Sequence, residues 1–175
     1  MIFKQVYIVI LTAAFLFSGL PKYIQKRVDK EIEKTFDKEN FELSEITISP
    51  DMQEKVPSKF NDNNFFKIQS KNQLIGYAYI AKAPSKTAQF DYLVLLNPDL
   101  TVAKSNVLIY REEYGGEIGS TRWLKQFIGK KPGDDLQYGD NIVAISGATI
   151  SVRSMTNAMN DFLESIKLLQ ENKAI

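Results

Sequence analysis

Residues 143 to 154 read VAISGATISVRS, which sets the hydroxyls of Ser146, Thr149 and Ser151 close together, with Gly147 and Ala148 between them and Arg153 after. The apolar run IVAI gives way here to a helical pattern, so the stretch reads as a short strand running into a helix start. The first turn of a helix presents unpaired backbone N–H groups at the positive end of its dipole, a ready site for phosphate. Gly147 and Ala148 are small enough to let a ligand approach the backbone, and Thr149, Ser151 and Arg153 add hydroxyls and a guanidinium. The chemistry is that of binding a phosphate ester, not hydrolysing one. A plainer reading stays open beside it, in which Ser146, Thr149 or Ser151 simply caps the final helix.

The rest of the composition narrows the field. The chain has no histidine and no cysteine, which removes Ser-His-Asp and Cys-His catalysis, thiolate redox chemistry, His- or Cys-based zinc sites and the usual haem ligands. A hydrolase with its nucleophile at the strand-helix turn would lack its histidine base. No catalytic side chain and no metal ligand set is assigned. Any redox chemistry must come from a bound organic cofactor. With 22 basic and 21 acidic residues the net charge is +1, so there is no field to gather nucleic acid.

The elements that must position this stretch are legible in outline. QLIGYAYIAKAP, AQFDYLVLLNP and LTVAKSNVLIY are rich in β-branched and aromatic residues, and NPDL reads as the hairpin turn between the last two. GSTRWLKQFIGKK predicts a short helix with Ser120 or Thr121 as N-cap, Trp123, Leu124 and Phe127 on one face, and Gly129 as its stop. KPGDDLQYGDN is a polar loop. SVRSMTNAMNDFLESIKLL places Val152, Met155, Ala158, Met159, Phe162, Ile166 and Leu169 at helical spacing, a core stripe. The order predicts an α+β domain, helices packed on a mostly antiparallel sheet.

The N-terminus differs. From Gln5 to Pro21 no charge appears, a run long enough for a slightly short transmembrane helix with no small-x-small cleavage site near its end. Residues 22 to 40 then space Ile24, Val28, Ile32 and Phe36 four apart on a charged helix, a stalk that packs on the domain or a partner helix, or is solvated on most faces.

SGAT, followed by Ile150, Ser151, Arg153 and an amphipathic helix, resembles the FMN-binding domain family, which includes the G subunit of the Rnf electron-transport complex and the C subunit of sodium-pumping NADH:quinone reductase. REEYGGEIG followed by WLKQFIGK resembles the loop and short helix that precede the flavin motif in that family. The resemblance implies FMN joined by a phosphoester to Thr149, installed by a flavin transferase outside the cytoplasm. It implies Ser146, Gly147, Ala148, Ile150, Ser151 and Arg153 about the phosphate, and Tyr114, Glu117, Ile118 and Trp123 as candidates to line the isoalloxazine, with core packing the other reading for Trp123. One position departs: the family has an aspartate three residues before the motif, where this chain has Val143, with Asp140 three residues further upstream.

These readings divide the chain into an anchor at 1–21, a helical stalk at 22–40 and an FMN-binding domain at 41–175. The function implied is electron relay by a single-pass protein of a bacterial cytoplasmic membrane, its domain on the extracytoplasmic side. It would act as a subunit beside other membrane electron-transfer subunits, not as a free-standing enzyme. A non-covalent FMN binder and a cofactor-free structural subunit are the alternatives, and Val143 is their main support.

Overall fold

The computed structural model describes residues 20–61 and 63–175. The expected anchor lies almost wholly outside the described residues, and among those described no helix is long and apolar enough to cross a membrane.

Helix α1 (Lys22–Phe36) leads into a five-stranded antiparallel sheet in which spatial order equals chain order: β1 (Glu42–Glu45), β2 (Phe65–Ser70), β3 (Gln73–Pro84), β4 (Gln89–Leu96) and β5 (Val102–Ile109). A short helix α2 (Pro50–Gln53) lies between β1 and β2, a short helix α3 (Thr121–Leu124) follows β5, and the long helix α4 (Thr149–Glu171) closes the chain. The three expected strands are β3, β4 and β5. The NPDL turn is there too, closed by Leu100 N–H to the Asn97 carbonyl at 2.9 Å and Asn97 N–H to the Thr101 carbonyl at 2.8 Å.

Strand β4 shows why its apolar run is continuous. Phe90, Tyr92, Val94 and Leu96 face the cluster built on α4, while Leu93 and Leu95 face the cluster built on α1. A strand covered on both faces has no solvent side to keep polar. On the α4 face, Val152, Met155, Met159, Phe162, Ile166 and Leu169 are all fully buried, as the helical spacing predicts. Phe162 stacks on Tyr79 with ring centroids 4.4 Å apart and planes 10° from parallel.

Helix α1 is packed on the opposite face of the sheet. Ile24, Val28 and Ile32 are buried against Phe66, Ile68, Leu93 and Leu95. Polar ties fix its register: Arg27 Nη1 donates to the Leu108 carbonyl at 2.6 Å, and Glu31 pairs with Lys104 at 2.7 Å. Of the readings open for this segment, packing on the domain is the one the geometry gives.

One expected element is absent. IVAI forms no strand: Ile142 makes a single isolated bridge with Tyr138, and residues 143–148 run as loop and turn into α4. Ile142 is fully buried, Val143 is 64% exposed and Ile145 is partly buried against the core, so the run is an irregular loop anchored chiefly by Ile142 and not a half-buried strand. The junction is therefore loop to helix.

If α1 is integral to the fold, Ile32→Ala should cost about 2–4 kcal/mol, as emptying a fully buried aliphatic site does. Chemical denaturation checks this. An unmoved midpoint would mean that α1 stands away from the sheet in solution.

Candidate functional site

Helix α4 begins without help from its own hydroxyls. Ala148 occupies the N-cap position and no side chain there accepts a hydrogen bond from the first turn. The intrahelical ladder opens with Val152 N–H to the Ala148 carbonyl at 2.9 Å. The capping reading of Ser146, Thr149 and Ser151 is therefore corrected, and the reason is local. Ala148 is 4% exposed and fills the cap position with a methyl group, while Ser151 turns inward, its Oγ 3.0 Å from Tyr110 Oη. Thr149, Ser146 and Gly147 are exposed on the surface of this shelf, and Ile150 is half exposed.

The loop after β5 closes one side of the shelf. Gly115 has φ +81°, and a Cβ there would lie 2.9 Å from Ala148 Cβ and 3.0 Å from Tyr110 Oη. Only glycine lets this backbone approach so closely in that conformation. Gly147, at φ +79°, makes a left-handed turn immediately before Ala148. The neighbouring Tyr114 is 79% exposed and Glu117 is exposed, whereas Ile118 is fully buried in the α4-side core.

On the other side the loop entering α4 is braced by α3 and the 3-10 turn that follows it. Ser120 caps α3 by accepting from Trp123 N–H, as expected. Trp123 Nε1 donates to the Val143 carbonyl at 2.8 Å, and Val143 N–H donates to Gln126 Oε1 at 2.8 Å. Trp123 is 5% exposed and packs edge-on against Phe127 at 5.2 Å, so the structure places it in the core as the brace of the Val143 segment. Arg153 is exposed with its guanidinium carbon 4.8 Å from the centre of the Tyr138 ring, a cation-π contact.

Two features escaped sequence reasoning. One is the Tyr110–Ser151 pair, for which the sequence offers no signal, since Tyr110 reads as the end of a strand. The other is Glu112. Its carboxylate accepts from Ser85 Oγ at 2.6 Å, Thr87 N–H at 2.7 Å, Thr87 Oγ1 at 2.8 Å and Ala88 N–H at 3.1 Å, tying the loop to the β3–β4 turn. These bonds, that from Ser85 foremost, hold its carboxyl down to about 2. The Glu-rich, Gly-rich composition of the loop was the available cue.

Together the SGAT segment and the loop around Tyr114 and Gly115 form an open shelf that offers first-turn amides, exposed hydroxyls and apolar side chains. That donor set suits a phosphate ester carrying a flat, partly apolar ring. A separate cleft of about 500 Å³, lined by Tyr79, Tyr92, Lys82, Asp91 and Asp161 among others, shares none of the predicted site residues. Burial pushes the Tyr79 hydroxyl up to about 12, so it stays protonated and offers no base. Among the described residues no acidic cluster is placed to hold a metal ion.

Residues 86–164 match the family model of the FMN-binding domain. The resemblance read from SGAT and the loop before it holds over this stretch, from the β3–β4 turn through most of α4, and FMN is the cofactor it points to. Among solved structures the chain is similar to NqrC of Shewanella oneidensis, with 22% identity and a TM-score of 0.49 over 63% of this chain and 61% of that one. The match thus spans about three fifths of that protein's length. No curated protein matches the chain.

Trp123→Phe keeps an aromatic ring in the core but removes the donor to the Val143 carbonyl, and should cost about 0.5–1.5 kcal/mol; thermal melting reads it, and an unchanged melting temperature would count against the brace. Glu112 sets a pH dependence. A carboxyl lowered from 4.5 to about 2 on folding adds stability that is present above pH 4.5 and lost as pH falls through about 2. Denaturation midpoints of the parent should therefore fall over that window, and Glu112→Gln should flatten the fall.

Proposed function

We propose that this chain is a membrane-anchored, extracytoplasmic flavoprotein that relays electrons through FMN joined by a phosphoester to Thr149. The observation that supports it most is the start of α4, a 23-residue helix with no side-chain cap whose exposed Thr149 stands at its first position. The match of residues 86–164 to the FMN-binding domain agrees with it. FMN would supply the one- and two-electron chemistry that a chain without histidine or cysteine cannot.

Each part of the shelf then has a task. The first-turn amides and the helix dipole would hold the phosphate, and Thr149 would offer the hydroxyl for its attachment. Ser146, Gly147 and Ala148 shape the approach, and Ile150 and Tyr114 offer apolar surface to the ring. Ser151, bonded to Tyr110, holds the shelf to the sheet. Glu117 lies exposed beside the loop, while Ile118 and Trp123 act from the core beneath it. Arg153, over Tyr138, adds positive charge along the helix's first turns.

The charge-free run at 5–21 supports an anchor, and the extracytoplasmic location follows from a flavin transferase that works there. The partners proposed are that transferase and other membrane electron-transfer subunits. A non-covalent variant of the same reading draws support from Val143, which stands exposed where the family has an aspartate.

Thr149→Val tests attachment. Made alongside an active flavin transferase, the parent should carry in-gel flavin fluorescence under denaturing conditions and Thr149→Val should carry none, while its stability changes by no more than about 0.5 kcal/mol, as for an exposed side chain that caps nothing. Val143→Asp should raise the flavinylated fraction. Fluorescence that persists in Thr149→Val would move the bond to another hydroxyl such as Ser146. Its absence from both the parent and Val143→Asp, with a control protein flavinylated, would overturn the covalent reading.

A further inference from the structure

We propose that Glu112 is a positioning residue of the flavin site, its carboxylate clasping the β3–β4 turn so that Tyr114 and Gly115 are held against the start of α4; this rests on the FMN reading above. The geometry forms a chain of ties. Glu112 is bonded to Ser85, Thr87 and Ala88, residues 24 to 27 positions away, and is itself three residues before Gly115. The adjacent Arg111 reaches the same hairpin, donating to the Gln89 carbonyl at 2.7 Å and pairing with Asp91 at 2.5 Å. Tyr110 reaches the other way, to Ser151 in the first turn of α4. Three successive residues thus pin the root of the loop to both the sheet end and the helix start.

The clasp matters because of what lies beyond it. Gly115 packs on Ala148 so closely that a single added carbon would meet it at 2.9 Å. A contact that tight tolerates little drift of the loop's root. Four hydrogen bonds converge on one carboxylate, and charge-assisted bonds of this kind set geometry as well as energy. The hydrogen bonds of the Glu112 carboxylate go to Ser85, Thr87 and Ala88, so it acts on the start of α4 through the loop.

Amide hydrogen exchange on the parent and on Glu112→Ala, without flavin, reads this directly. Thr87 and Ala88 lose their acceptor in the variant and will exchange faster under any account. The informative amides are Ile118 and Ala148, bonded to the Gly115 and Ile145 carbonyls at 3.2 Å each, which a turn-only role would leave untouched. They should exchange about tenfold faster in Glu112→Ala, with the β4 amides of Leu93 and Leu95 unchanged, and Glu112→Gln should recover part of the protection. Ser85→Ala combined with Thr87→Val removes the hydroxyl donors from the other side and should reproduce the effect, which keeps the comparison open if Glu112→Ala fails to fold. In flavinylated protein, the flavin fluorescence anisotropy should drop in the same variants. Unchanged exchange at both Ile118 and Ala148 overturns the proposal, as does faster exchange with unaltered anisotropy in a flavinylated chain. A parent that takes up no FMN defeats the cofactor reading alone, and exchange still decides the clasp.

Discussion

A long helix that starts without a side-chain cap leaves its first-turn N–H groups to be met by water, by loops or by a ligand. In this protein that start is α4, and much of the neighbouring structure converges on it. Ala148 at the cap position is buried under Gly115, Ser151 is tied to Tyr110, and the segment entering the helix is held by Trp123 and Gln126. Each of these contacts fixes the backbone while leaving Thr149 exposed. Capping by Ser146 would have satisfied an amide locally, and the shelf would then have offered less to an anion.

Rigid placement of that helix start comes from the other end of the same element. Phe162, Ile166 and Leu169 are fully buried and seat α4 on the sheet, and Asn160 braces the loop before the motif by bonding both the N–H and the carbonyl of Leu136, at 2.8 and 2.7 Å. Helix α1 backs the sheet from behind, which leaves β4 buried along nearly its whole length. Function on a loop-rich rim carried by a packed scaffold is a common division of labour. Here the rim is formed by the β3–β4 turn, the loop after β5 and the α4 start, all but Ser85 within the span of the matched family model.

Much of this was legible in the sequence where periodicity is strong. The α4 stripe, the strands β3 to β5 and the Ser120 cap follow from spacing and turn chemistry. β1, with the sequence ELSE, carries no apolar alternation and exists only because β2 pairs with it. β2 offers just six residues, too short a run for pattern alone. IVAI misled because a short apolar run does not distinguish a strand from a loop with one buried anchor, here Ile142. At the site, residue types pointed to phosphate, but the long-range ties did not show: Tyr110 to Ser151 spans 41 residues and Glu112 to Ser85 spans 27. Local spacing carries no information about such pairs.

The openness of the shelf bears on how a flavin would be kept there. Pockets that retain a ligand by affinity bury most of its surface. The apolar side chains around Thr149 do the opposite: Tyr114 is 79% exposed, Val143 64% and Ile150 50%. A ring laid on such a rim would gain little burial, so non-covalent binding would lean on the phosphate alone. A phosphoester changes the problem, because a tethered ring meets the shelf at high effective concentration and need not be enclosed to stay. Exposure then becomes useful, since an electron-transfer partner can approach a ring that stands at the surface. On this argument the shallow shelf favours attachment at Thr149 even though Val143 departs from the family pattern, and a loop held by Glu112 would limit the orientations open to a tethered ring.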